Sequence, residues 1–157
     1  MMKWIVAAAF TTSAGMAAAE LVAPTDVAFD DAGAVEVSLS GVTGDAANGA
    51  AIVGDKKQGN CVACHQVGAL SDIPFQGEIG PPLDGVGDRW TESELRGIVA
   101  NSKMTFEGTM MPSYYKTAGY IRPGDAYTGD AASEPLQPLL DAQMVEDVVA
   151  FLATLKE

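Results

Sequence analysis

Both cysteines and the single histidine of this chain fall within Gly59-Asn60-Cys61-Val62-Ala63-Cys64-His65. No other stretch constrains the fold as much. The spacing Cys-x-x-Cys-His is the attachment signal for a c-type haem. Two thiols three residues apart sit on adjoining positions of a helical turn, so each can add to one haem vinyl group. The histidine that follows can then place Nε2 under the iron as its fifth ligand. Other uses of these residues fit less well. A structural zinc site wants four Cys/His ligands, and the cluster holds three. A thioredoxin-like pair should follow a strand in a βαβ pattern, and no such pattern precedes Cys61. A disulfide between Cys61 and Cys64 would close too small a loop to stabilise much.

Residues 1–19 read as an export signal: Lys3, an apolar run from Trp4 to Phe10, and the small residues Ala17-Ala18-Ala19 before Glu20. The run is too short to be a membrane anchor, and no later window is long and apolar enough for one. The expected location is the periplasm, where c-type attachment takes place, with no membrane insertion. Losing Lys3 reduces nine basic residues to eight against 21 acidic ones, a net charge of −13. Such acidity argues against nucleic acid and small anions as partners. The remaining chain divides into an extension, residues 20–44, and a haem domain, residues 45–157.

In the extension, Val35, Val37 and Leu39 alternate with Glu36, Ser38 and Ser40, a half-buried strand pattern. Asp30-Asp31-Ala32-Gly33 is a turn signal separating it from Val27-Ala28-Phe29. Two short strands alone are marginal in water, so they are expected to lie on the haem domain. A helix begins after the N-cap Asp45 and runs to Val53, with Gly49 inside it. That glycine costs about 1 kcal/mol relative to alanine and suits a close helix crossing, where Phe151 can pack. After His65, the run Ile79-Gly80-Pro81-Pro82-Leu83 cannot be ordinary helix or central strand. Its carbonyls are free to accept the Nδ1 proton of His65. Arg89 is a candidate partner for a haem propionate.

Thr91 and Glu94 form a capping box, with Trp90 and Leu95 in the staple positions, for a helix that can end at Asn101. Asp141 caps a last helix whose stripe is Val145, Val148, Val149, Leu152 and Leu155, with Leu140 as its staple partner. The Asp and Glu residues read as scattered over surfaces and caps. Residues 113–138, with Tyr114, Tyr115, Tyr120 and Tyr127, form a long connection; its tyrosines can cover a haem edge or a partner. With one histidine, the sixth iron position falls to water, lysine, an unusual ligand or a methionine. Met111 is preferred over Met110 and Met104 because Pro112 holds it in extended backbone. Met144 reads as packing.

Cys61-x-x-Cys64-His65, Gly80-Pro81-x-Leu83-x-Gly85, Arg89 and Met111-Pro112 together resemble class I cytochromes c over almost the whole chain after residue 19. Longer runs are similar to the SoxX family, the monohaem subunits of SoxAX cytochromes: Gly80–Trp90, Met110–Tyr115 and Val145–Leu152. This resemblance implies an all-α class I fold around one covalent haem c, with a short β-like extension and a long loop before the last helix. It implies that the first and last helices cross near the haem, that the Pro81 carbonyl meets His65, and that His65 and Met111 are the iron ligands. It also implies an electron-transfer role in joining thiosulfate to a carrier cysteine. The implied partners are a SoxA-like cytochrome in a heterodimer, a SoxYZ-like carrier reached through that complex, and a diffusible cytochrome as acceptor. The residues agree with a role that is not itself catalytic. Both thiols are consumed as thioethers, and no other cluster suggests a nucleophile or base. The alternatives are a free diffusible cytochrome serving an oxidase or reductase, and a haem sensor or peroxidase with an open sixth site.

Overall fold

The computed structural model describes residues 21–124, 128–132 and 135–157. The proposed signal at 1–19 and Tyr127 lie outside them. Among the described residues, four helices carry the architecture: α1 (Ala46–Gly54), α2 (Val86–Arg89), α3 (Glu92–Asn101) and α4 (Ala142–Thr154), with short 3₁₀ turns at Cys61–Ala63, Gly68–Leu70 and Ser102–Met104. Among the described residues no strand forms. The only β pairing there is an isolated antiparallel bridge between Gly124 and Ala131. Among the described residues, no helix is long and apolar enough to cross a membrane.

The helix ends form where local chemistry predicts them. Asp45 accepts from the N–H of Ala47 at 2.8 Å and of Asn48 at 3.3 Å. Thr91 and Glu94 close a reciprocal capping box, the Thr91 N–H donating to the Glu94 carboxylate at 2.8 Å. Asp141 accepts from Met144 N–H at 2.8 Å. Each side chain satisfies a backbone donor that the first helical turn leaves without a partner. The apolar stripe of α4 packs into the core together with Leu140.

Helices α1 and α4 cross where Gly49 stands. A Cβ there would overlap the Asp147 carbonyl oxygen and lie 2.9 Å from Phe151 Cβ. The glycine therefore permits backbone-to-backbone approach, as its place in the sequence suggested. A similar approach occurs at Gly97, where a Cβ would overlap the carbonyl oxygen of Gly33.

The extension corrects the sequence reading. Residues 27–40 do not make a pair of strands. Val35 and Leu39 are buried, yet Val37 is 65% exposed, so burial does not follow a period of two. The turn at Asp30 does form: its carboxylate accepts from Ala32 and Ala34 N–H at 2.9 and 2.7 Å, and Gly33 takes φ +88°. Beyond that turn, the Val35 and Leu39 amides bond to the helices, while the Leu39 carbonyl accepts from Val22 N–H within the extension at 2.9 Å. Val35 N–H donates to Ser93 O at 2.9 Å, and Leu39 N–H to the Glu146 carboxylate at 2.7 Å. These partners satisfy buried amides without a ladder.

A second correction concerns the acidic residues. Glu146 and Asp147 are both buried. Glu146 accepts a two-pronged contact from Arg96 Nε, at 2.9 and 3.1 Å, while Arg96 Nη1 donates to Val35 O at 2.8 Å. Asp147 accepts from Asp45 N–H, Asn48 Nδ2 and Gln143 Nε2 at 2.6–2.8 Å. These buried charges tie the extension and the start of α1 to α3 and α4.

Candidate functional site: a haem cavity

The attachment turn is built from local geometry. Asn60 takes the left-handed conformation at φ 49°, one that asparagine tolerates better than most residues. The chain then winds through Cys61–Ala63, and the N–H groups of Cys64 and His65 both donate to Cys61 O, at 3.0 and 2.9 Å. Neither cysteine is in a disulfide, so both are available for thioether bonds. Burial pushes the Cys61 thiol up to about 11.

The turn forms part of the wall of a cavity of about 1120 Å³. Small-molecule pockets typically measure about 300–1,000 Å³, so this one suits a large ligand. Cys61, Cys64, His65, Pro81, Arg89 and Met111 all line it, so the fold brings together every site residue proposed from the sequence.

His65 Nδ1 lies 2.7 Å from Pro81 O. A carbonyl can only accept, so Nδ1 donates, and in the neutral ring this leaves the lone pair of Nε2 for a metal. Gly80 fits against the face of this ring, since a Cβ there would overlap the imidazole. Its N–H also donates to Cys64 O at 2.7 Å. Sequence reasoning quoted Gly80 without giving it a role; a glycine just before the Pro-Pro pair was the available signal. Arg89 donates from Nη1 to Asp84 O at 2.8 Å and from Nη2 to Pro82 O at 3.2 Å. The arginine thus braces the Pro82–Asp84 loop from the cavity rim, and its five-donor fork retains capacity for a carboxylate.

The structure also separates the methionines. Met104 and Met144 do not line the cavity, whereas Met110 and Met111 do. Met110 is 78% exposed, and Met111 is half-buried against the core. The backbone of Met111 is held on both sides. Its N–H donates to Thr109 Oγ1 at 3.2 Å, and its carbonyl accepts from Ser102 Oγ at 2.9 Å and from Lys103 Nζ.

Of the tyrosines after Met111, Tyr114 lines the cavity, where it can cover a haem edge, whereas Tyr115 and Tyr120 do not line it. Tyr114 and Tyr115 are buried. The Tyr114 hydroxyl donates to Gly59 O at 2.8 Å beside the attachment turn, and burial pushes its pKa up. Tyr120 is exposed, with Lys116 Nζ 5.0 Å from its ring centroid.

The cavity therefore passes a test of fit for a covalent haem. Two cysteine side chains, an imidazole whose Nδ1 is bonded to Pro81 O, a thioether and an arginine at the rim share one largely apolar space. Among the described residues no group of three or more His, Cys, Asp or Glu side chains could hold a metal ion without it.

The cytochrome c family model matches residues 46–156. The crystal structure of SoxXA from P. pantotrophus contains a chain 61% identical to this one. The match covers 86% of this chain and 98% of that chain, with a TM-score of 0.82. No curated protein matches. One haem c, joined through Cys61 and Cys64, is the cofactor that this motif and family support. Motif, cavity, fold and both comparisons agree: the chain belongs to the cytochrome c family, as a class I member of the SoxX type.

Proposed function

We propose that this protein is the electron-transfer haem subunit of a periplasmic complex that joins thiosulfate to a carrier-protein cysteine. Its permanent partner is a SoxA-like cytochrome, whose catalytic haem passes it electrons. The carrier is SoxYZ-like, and a diffusible cytochrome takes the electrons onward. The observation that carries this reading is that His65 and Met111 line one cavity, where, as the two iron ligands, they would leave no position for substrate. The 61% identity to a SoxXA chain supports the assignment to that kind of complex.

When bound, haem c supplies a one-electron ferrous/ferric couple. The chain's residues set the conditions for it. Pro81 O orients His65 and raises the basicity of Nε2. The Met111 thioether favours the ferrous state and so raises the potential. Arg89 holds the rim loop and offers a donor to a propionate. The acidic chain repels a dianion such as thiosulfate, which keeps sulfur chemistry on the partner. Joining thiosulfate to a thiolate forms one sulfur–sulfur bond and releases two electrons, so this subunit must share them with a second redox centre or discharge between them.

Stopped-flow absorbance tests the assignment. In the complex, thiosulfate with the carrier thiol should reduce this haem, while the isolated chain stays oxidised in the same mixture. Rapid thiosulfate-driven reduction of the isolated chain would place the chemistry here and end the relay reading.

A further inference from the structure

The extension touches both ends of the loop that carries Met111, and nothing in the haem-site chemistry above accounts for those contacts. At the leading end, Gly33 packs against the Ser102–Met104 turn. A Cβ on it would lie 2.5 Å from Thr105 Oγ1 and 2.8 Å from the Met104 carbonyl carbon. Ser102 and Lys103 of that same turn donate to Met111 O. At the trailing end, the hydroxyl of buried Tyr115 donates to Val22 O at 2.6 Å. The extension in turn cannot drift, because its bonds to Ser93, Arg96 and Glu146 fasten it to α3 and α4.

We infer that residues 21–44 are a brace that holds the Met111 loop closed over the haem, with Gly33 and Tyr115 as positioning residues. The inference rests on Met111 being the sixth iron ligand. A thioether is a weak, neutral ligand, so its hold on iron depends on how far the protein restricts the loop. Each tie between loop and extension lowers the population in which the sulfur has moved away. An external ligand can enter only in that population, so its apparent affinity reports the open fraction directly.

The test uses ferric holoprotein and imidazole as the probe, at temperatures where far-ultraviolet circular dichroism shows no unfolding. Tyr115→Phe removes one hydrogen bond and Gly33→Ala forces a side chain into a positive-φ site against Thr105. Val37→Ala alters an exposed residue of the same segment and serves as control. Tyr115→Phe should bind imidazole roughly three- to tenfold more tightly than the parent, the factor that one lost hydrogen bond is worth. Gly33→Ala should do so at least as strongly, Val37→Ala should match the parent, and in each protein the near-infrared sulfur-to-iron band should vanish in step with imidazole binding. Unchanged imidazole affinity in Tyr115→Phe and in any folded Gly33→Ala would overturn the brace, even if both variants melt earlier. A parent protein without the band, or a band that survives Met111→Ala, would instead show that the ligand assignment had failed and taken the brace with it.

Discussion

Met111 and Met110 are adjacent and both line the cavity, so burial and tethering distinguish them. Met111 alone is half-buried, with its carbonyl pinned by Ser102 and Lys103. Met111→Ala should abolish the near-infrared sulfur-to-iron band of the ferric holoprotein and lower its reduction potential, measured by redox titration. Met110→Ala should leave both unchanged; the reverse result would move the ligand by one residue. Asp147 gives a second residue-level prediction. Burial by itself would raise its pKa, but bonds from Asp45 N–H, Asn48 and Gln143 outweigh that and hold the carboxyl below its ordinary 3.8. A folded-state pKa below the unfolded one means stability that is present above pH 3.8 and lost as pH falls through the folded value. Asp147→Asn should therefore lower the melting temperature at neutral pH. Its deficit should shrink as pH is lowered below about 4, read from thermal melts across a pH series.

Helix ends and helix crossings obey different rules, and one substitution probes each. At the start of α3, Thr91→Ala removes the cap and breaks the box with Glu94, at a cost of about 0.5–2 kcal/mol. Denaturant titration should show this with the haem spectrum unchanged. At the crossing of α1 and α4, Gly49→Ala places a methyl group on the Asp147 carbonyl. Overpacking of that kind costs typically about 1–3 kcal/mol, and here the obstacle is backbone that cannot rotate aside. Gly49→Ala should therefore destabilise more than Thr91→Ala, the reverse of the order that helix propensity predicts. The caps and the apolar stripes were legible because they involve residues at most four apart. The extension was misread for the opposite reason. Val35 and Leu39 are buried because helices α3 and α4 lie beneath them, and no pattern within residues 27–40 encodes that.

For the molecule as a whole, the buried pair of Arg96 and Glu146 joins extension, α3 and α4 at one point. Glu146→Ala would leave Arg96 buried without its partner and the Leu39 N–H without an acceptor. Removing one partner of a buried pair costs about 3–5 kcal/mol. The loss should appear as cooperative destabilisation in denaturant and as early protease cleavage within residues 21–44. A melt that shifts by less than the Thr91→Ala variant would show that the extension is attached by packing alone. The assembly carries its own expectation. Expressed with a SoxA-like subunit, the chain should elute as a heterodimer in size-exclusion chromatography, through a stable and mostly apolar contact. A chain that remains monomeric at every concentration tested would favour a diffusible carrier.

The sequence by itself determined the cofactor, helices α1, α3 and α4 and the roles open to the site, while the short α2 was not read from it. Cys61, Cys64 and His65 lie within five residues, and their chemistry depends on that spacing more than on the rest of the fold. Asp45, Thr91 and Asp141 likewise act on amides two or three residues away. The identity of the methionine was only narrowed from the sequence, because distance to a cavity is not a local property. The tertiary structure alone decided that Glu146 receives the N–H of Leu39, 107 positions earlier, and the guanidinium of Arg96, 50 positions earlier. It alone put Gly33 against Gly97 and Val22 against Tyr115. Those contacts form because buried amides and charges must find partners wherever the folded chain brings one within reach, and that choice is made between elements, after each has formed.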